Sequence, residues 1–106
     1  MPSPIIYLEA FRCICPSDCL GRDPYLVDAA LNNGHGQCDC KDWDIRCEQR
    51  IKAGYRPGNR SRCKHIIRVR NYLCKRWGIG EGALQKAINE YNHKEASLRG
   101  RYRSHA

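Results

Sequence analysis

Two short pairs of potential metal ligands stand out in the sequence. One is Cys38-Asp39-Cys40 and the other is Cys63-Lys64-His65, with twenty-two residues between Cys40 and Cys63. Thiolate and imidazole are preferred zinc ligands, and a structural zinc site usually closes with two short ligand pairs on separate elements. The spacing therefore predicts one Zn2+ ion held by Cys38, Cys40, Cys63 and His65.

The other cysteines allow a second metal site. The chain has eight cysteines in all, and Cys13 and Cys15 would share one face of an extended strand. Together with Cys19 and Cys47 they could form an all-thiolate zinc site. We favour the alternative, in which these four are reduced thiols packed beneath the first strand.

Cys74 and His35 have simpler explanations than metal binding. Cys74 falls within an amphipathic helical pattern and is most simply a core residue of that helix. His35 lies in the turn-rich segment NNGHG, close to Cys38. It could replace a ligand, but we favour an exposed turn histidine.

The cysteines and the first residues of the chain indicate whether the protein is secreted or intracellular. A disulfide framework is one interpretation of eight cysteines in 106 residues. The opening segment MPSPIIYLEAF has no basic stretch, however, and Glu9 and Arg12 interrupt its apolar residues, unlike a secretory signal. No run approaches the roughly 20 apolar residues of a membrane span. We therefore expect an intracellular protein with no membrane association, in which clustered cysteines bind metal.

The apolar patterns predict a small zinc-stapled α+β domain. Residues 5–15 favour an extended segment with Phe11, Cys13 and Cys15 on one side. PYLVDAAL predicts a strand, and NNGHG predicts the turn of a hairpin that returns through residues 37–40, which makes a short β-meander. Two to three helices should follow. We expect a single domain over residues 1–106, with a core at about 5–92 and a basic tail at 93–106 that is loose at its end.

Three amphipathic segments account for the helices. Asp42 is expected to cap a short first helix, and Ser61 a second helix that runs to about Trp77. A third helix restarts after GIGEG. The apolar positions expected to face the core are Trp43, Cys47 and Ile51 in the first, Ile66, Val69, Leu73 and Trp77 in the second, and Ala83, Leu84, Ala87, Ile88 and Tyr91 in the third.

The order C-D-C-K-D-W, a variable loop, and C-K-H-I-I at the head of an amphipathic helix resembles the SWIM zinc finger, whose pattern is CxC, a spacer, then CxH. The resemblance covers about Tyr25 to Tyr72 and includes the strand YLVDAAL and Trp43. It implies the ligands Cys38, Cys40, Cys63 and His65. The family occurs in transposases, chromatin-type ATPases and recombination factors, so the resemblance implies contact with DNA or protein. A long basic insert, from Cys47 to Arg62, departs from the family.

Charge is divided unevenly along the chain. Residues 1–45 carry a net charge of −4, and residues 46–106 carry +12. A basic half of this density favours a polyanionic partner, because Lys and Arg release counterions when they neutralise phosphates. A solvated basic surface without a partner is the alternative. We expect nucleic-acid contacts, with DNA favoured over RNA, from Arg56, Arg60, Arg62, Lys64, Arg68 and Lys75.

The same features argue against catalysis. Catalytic zinc keeps an open coordination position, whereas four good ligands close this site. Cys63 and His65 would point apart on a helix, which does not suit a nucleophile and its base. GIGEG lacks the lysine and hydroxyl residue of a phosphate-binding loop. We expect a binding module, and the alternative to nucleic-acid binding is an adaptor or inhibitor that engages an acidic protein or a nucleoprotein.

Overall fold

A computed structural model describes residues 4–17, 23–56 and 58–103. Its first half is a four-stranded antiparallel sheet in the order β1-β2-β3-β4. The strands are β1 (Ile6–Glu9), β2 (Arg12–Cys15), β3 (Tyr25–Asp28) and β4 (Gln37–Cys38). The sequence predicts one extended segment over residues 5–15, but Ala10, at φ 48°, turns the chain and folds that segment into the β1–β2 hairpin. The predicted α+β class and β-meander are confirmed, with one more strand.

One face of the sheet is buried and the other is open. Cys13 and Cys15 have no exposed surface, Phe11 is nearly buried, and their predicted common side is confirmed. The register places Cys13 opposite Val27, and Val27 opposite Cys38, so the buried face continues across the sheet into the first predicted zinc ligand. The hydrophobic packing of the sheet thus places Cys38 on the core side.

A short helical segment follows β4. It consists of a π-helical turn (Trp43–Cys47) and α1 (Glu48–Lys52). Trp43 and Cys47 are buried, as predicted. The prediction that Asp42 caps this segment is wrong, because Asp42 itself has helical backbone angles of φ −61° and ψ −38°. Its carboxylate instead accepts hydrogen bonds of 2.9 and 2.7 Å from Arg46.

The central helix, α2 (Lys64–Trp77), lies across β2 and β3. Its predicted apolar stripe is confirmed for Ile66, Val69 and Leu73, which are fully buried, whereas Trp77 at its end is exposed. The prediction that Ser61 caps it is wrong, because Cys63 occupies the cap position. Ser61 lies in a 3-10 turn (Asn59–Ser61), where its hydroxyl donates to the Gly58 carbonyl at 3.1 Å and accepts from the Gly58 amide at 3.2 Å.

The last helix, α3 (Glu81–Arg103), completes the core by burying Leu84 and Ile88. Of the predicted apolar positions only Ala83 is exposed. Regular helix continues past His93, where the sequence predicts a tail that loosens at its end; KEASLR at 94–99 is rich in helix-forming residues. Within the described part of the chain, no helix combines the length and apolar character needed to cross a membrane.

Aromatic rings join the helices α2 and α3 to the sheet. Phe11 makes edge-to-face contacts with Trp77, at 5.6 Å between centroids, and with Tyr91, at 5.3 Å. Trp77 also packs against Tyr7 but keeps 37% of its surface exposed. Trp77 is therefore the last, partly exposed residue of the apolar stripe of α2. These ring contacts fix the helices against the sheet at the end of α2 that is far from Cys63.

Candidate metal centre

The β3–β4 hairpin carries the first ligand pair to the beginning of α2. Cys38 ends β4 and Cys40 follows two residues later. Gly36 makes the close approach possible: its φ is +89°, and a Cβ atom there would lie 2.9 Å from Ile66 Cγ2 and 3.3 Å from the Asp28 carbonyl oxygen. Only glycine fits both this left-handed backbone and this space. The hairpin can therefore pack directly on the first turn of α2.

The second ligand pair is positioned by the start of α2. Cys63 occupies the N-cap position in an extended conformation, and His65 lies in the first helical turn. The expectation that these two side chains point apart is therefore wrong, because Cys63 is not itself helical and its Sγ atom lies near His65 Nδ1. The N-terminal end of a helix carries a partial positive charge, which favours a thiolate. The residues that begin the helix are thus also those that supply ligands.

The four predicted ligands form one compact buried group. Their donor atoms all lie within 4.8 Å of one another. His65 Nδ1 is 3.8 Å from Cys38 Sγ and 3.9 Å from Cys63 Sγ. Zinc bonds of about 2.3 Å to sulfur and about 2.0–2.1 Å to nitrogen, in a tetrahedron, place sulfur and nitrogen about 3.6 Å apart. Three thiols and one imidazole at these separations fit a tetrahedral zinc ion, with His65 binding through Nδ1.

The electrostatics of the four groups favour a bound cation. The pKa of Cys63 is lowered to about 5, first by a hydrogen bond from Cys38 and further by the backbone amide of Ile66. The pKa of Cys38 is strongly raised because it shares its proton with Cys63 and is buried, and burial also raises the pKa of Cys40. Three neighbouring thiols therefore cannot all ionise unaided. Zinc supplies the charge that lets all three bind as thiolates, with release of protons.

Surrounding groups orient the ligands. The Trp43 amide donates to Cys40 Sγ at 3.4 Å, which supports negative charge on that sulfur. The Tyr25 ring lies against the His65 imidazole with centroids 4.3 Å apart. Such outer contacts fix ligand orientation and tune metal affinity.

Two further contacts tie the hairpin to the segment that leads into α2. His35 Nδ1 and Ser61 Oγ are 2.8 Å apart, and Arg62 donates to the Gly34 carbonyl at 2.8 Å. His35 is thus buried, and the prediction that it is an exposed turn residue is wrong. Burial, followed by the charge of Arg62, lowers the pKa of His35. No local sequence pattern indicates this contact, because Ser61 lies twenty-six positions after His35 in the chain.

The six predicted nucleic-acid-binding cations divide into two groups. Five are exposed: Arg56, Arg60, Lys64, Arg68 and Lys75. Arg62 is only 6% exposed and pairs with Glu81 at 3.7 Å, so its predicted place on the solvent side is wrong. Arg70, which no sequence pattern singled out, is buried beside it. Both arginines point inward because the turn at Gly34 and the start of α3 supply acceptors.

The possible second site stays a prediction. Cys13, Cys15 and Cys47 are buried, and Cys19 lies outside the described residues. Burial raises the pKa of Cys13 and of Cys47 to about 11, as expected for inert core thiols. Across the described ranges, the one cluster of three or more closely spaced metal-ligating side chains is the Cys3His group. Cys74 lies on α2, where it is partly buried and packs against the edge of the core rather than within it.

The fold and the ligand set define a small α+β domain built around a Cys3His zinc site. Residues 25–74 match the family model of the SWIM zinc finger. This segment is therefore a SWIM-type zinc finger, and its Cys3His group makes it a zinc-binding module. No curated protein and no solved structure gives a significant match.

Proposed function

We propose that this protein is a non-catalytic module that binds nucleic acid, with DNA preferred, through the exposed side of α2 and the adjoining basic insert. The observation that carries the proposal is a polar stripe on α2 made of Lys64, Arg68, Asn71 and Lys75, all exposed. These residues are spaced by four, three and four positions and so lie on one helix face.

The dimensions of the stripe suit a phosphate backbone. Lys75 lies eleven positions after Lys64, which is about 16 Å of helix at 1.5 Å per residue. That length corresponds to about five base-pair steps of 3.4 Å along the axis of a DNA duplex. The zinc ligands Cys63 and His65 flank Lys64, so metal binding holds the start of the stripe in place and lowers the entropic cost of presenting it.

The insert adds cations next to this stripe. Arg56 and Arg60 are exposed in the segment that leads into α2. Arg50 lies over the Tyr55 ring at 5.7 Å, and Tyr55 is 44% exposed. An exposed aromatic ring beside cations suits stacking on an unpaired base, while the charges suit phosphate contact without base readout.

A salt series tests the proposal. Zinc-loaded protein and fluorescent single- and double-stranded DNA and RNA are titrated by anisotropy between low and moderate salt. With up to five exposed cations engaged, the log–log slope of affinity against salt should be roughly −3 to −4. Replacing Lys64, Arg68 and Lys75 by glutamine should reduce the magnitude of that slope by about 2 to 3 and leave zinc content unchanged.

The matched control removes the same charge elsewhere. Lys41, Lys86 and Lys94 are also exposed, and they lie outside α2 and the insert. Their triple glutamine variant should keep most of the slope. Equal losses in the two triple variants would show unspecific charge attraction, and absence of salt-dependent binding by the wild type would refute the nucleic-acid proposal.

The open face of the sheet supports the alternative, a protein adaptor. The register aligns Ile6, Ile14 and Leu26 across three strands on this face. Four aliphatic side chains at this side are between 41% and 54% exposed: Ile6, Leu8, Leu26 and Leu31. Apolar patches of this kind mark interaction surfaces. If neither DNA nor RNA binds, the adaptor alternative predicts that Leu26→Lys abolishes binding to a partner protein, measured with the purified partner, and leaves the zinc content unchanged.

A further inference from the structure

A cavity of about 640 Å3 opens between the basic insert, α2 and the start of α3. Two of its lining side chains are Arg62 and Arg70, here called the buried arginine pair, which are only 6% and 2% exposed. Buried guanidinium groups are costly unless charges and hydrogen bonds compensate them. The acceptors and negative charges around these two arginines therefore show how much of their charge is left uncompensated.

Neutral acceptors take some of the hydrogen bonds that the buried arginine pair can donate. Arg62 Nη2 donates to the Gly34 carbonyl at 2.8 Å, and Arg70 Nη2 donates to Gln85 Oε1 at 2.9 Å. These contacts hold the two side chains in place. They do not neutralise either charge.

One carboxylate is shared between the two positive charges. Glu81 accepts from Arg70 Nε at 2.6 Å and lies 3.7 Å from Arg62 Nη1. It is the one acidic residue among the described residues that line the cavity. The pair and Glu81 together leave one positive charge uncompensated. Burial, followed by the charge of Arg70, lowers the pKa of Arg62 to about 10, so Arg62 stays protonated at neutral pH.

Two further observations point to an anionic ligand. Arg62 Nε is buried and has no hydrogen-bond partner within the described part of the chain. The first turn of α3 lines the cavity through Glu81 and Gly82, and the first amides of a helix attract anions. A Cβ atom on Gly82 would meet nothing within 4 Å, so the approach to this turn is open.

We propose that this cavity binds one phosphate group, held by Arg62 and Arg70 beside the start of α3 after the Glu81 carboxylate swings outward. Glu81 is 55% exposed, so its carboxylate can turn toward solvent, and the incoming phosphate then replaces it as the negative charge that compensates the two guanidinium groups. Its carboxylate occupies the place of the phosphate oxygens when the site is empty. Two guanidinium groups match the oxygens of one phosphate well, because each can donate two parallel hydrogen bonds.

The phosphate can belong to a free anion or to a nucleic acid. The nucleic-acid source rests on the proposed function, whereas binding of free phosphate does not. The cavity is larger than one phosphate group, which leaves space for an attached sugar. A terminal phosphate suits the site better than an internal one, because a terminal phosphate carries up to two negative charges and an internal phosphodiester carries one.

The first experiment titrates inorganic phosphate into the zinc-loaded full chain at constant ionic strength, by calorimetry and by thermal unfolding. We expect saturable binding that raises Tm. Glu81→Gln should tighten phosphate binding about tenfold, because it removes the competing negative charge. The matched control is Glu90→Gln, which makes the same change at an exposed position of the same helix and should leave the affinity unchanged.

The outcomes separate the possibilities. Arg62→Lys should weaken phosphate binding by losing the planar fork, and if this variant does not fold, the comparison of Glu81→Gln with Glu90→Gln still decides. No saturable phosphate binding in the wild type and Glu81→Gln would overturn the inference. Equal tightening in both glutamine variants would also overturn it.

A second experiment identifies the source. Oligonucleotides with and without a 5′-phosphate are compared, with inorganic phosphate as competitor. Preference for the 5′-phosphate, lost on competition, assigns the cavity to a strand end. Binding of free phosphate without any oligonucleotide binding supports the cavity as a phosphate site and refutes the proposed nucleic-acid function. Oligonucleotide binding that ignores both the 5′-phosphate and the competitor assigns the cavity to free phosphate and leaves the α2 stripe as the nucleic-acid contact.

Discussion

Gly36→Ala should weaken the zinc site although Gly36 is not a ligand. Its φ of +89° costs an alanine about 1–2 kcal/mol in a left-handed conformation. The new methyl carbon would also lie 2.9 Å from Ile66 Cγ2, in a wall that is fixed by the core. Overpacking of this kind costs typically about 1–3 kcal/mol more. The folded state should therefore lose about 2–5 kcal/mol in total, as the sum of these two ranges.

Gly54→Ala is the matched control. Gly54 has nearly the same φ, +91°, but a Cβ atom there would meet nothing within 4 Å. The control carries the backbone cost alone, so the two variants differ by the contact with Ile66. Because zinc binding is coupled to folding, the difference should appear as roughly a tenfold to hundredfold weaker apparent zinc affinity of Gly36→Ala in a chelator competition. Equal affinities would show that the hairpin does not need to pack closely on α2.

Three more outcomes are expected. Cys63→Ser should yield a metal-free, largely unfolded chain by metal analysis and circular dichroism, because structural zinc contributes on the order of 10 kcal/mol; a folded variant with full zinc content would contradict the site. Because the pKa of His35 is lowered in the folded protein, the stabilising effect of neutral His35 is present above the usual histidine pKa and fades as pH falls. The stability advantage of wild type over His35→Gln should therefore shrink between about pH 7 and pH 5. A constant advantage over this range would exclude the titration of His35 as a stabilising factor. Metal analysis should give one zinc per chain, and a second equivalent lost on Cys13→Ser would establish the all-thiolate site.

The metal ligands could be predicted because they are local in sequence. Each pair, CxC and CxH, is contained in three residues, and the chemistry of zinc relates the two pairs without knowledge of the path between them. The apolar stripe of α2 was predictable for the same reason, since helical periodicity places Ile66, Val69 and Leu73 on one side. The N-terminal hairpin was missed because Ala10 takes a positive φ that alanine seldom adopts.

The orientation of charged side chains could not be predicted from local patterns. Arg62 and Arg68 look alike in a basic stretch, but Arg62 is buried and Arg68 is exposed. What separates them is the position of acceptors from distant segments, the carbonyl of Gly34 and the side chain of Glu81. His35 is buried for a similar reason, because Ser61 meets it from twenty-six residues away.

The amino-acid sequence by itself determined the zinc ligands, the α+β class and the basic character of the second half, because each depends on residue types and short spacings. Only the tertiary structure decided which cations face solvent, which pair lines a cavity with an unpartnered Nε atom, and which sheet face stays open. These properties depend on contacts between segments far apart in the chain. The free energy of burying a guanidinium is set by the acceptors around it, and those acceptors come together only when the hairpin, α2 and α3 pack.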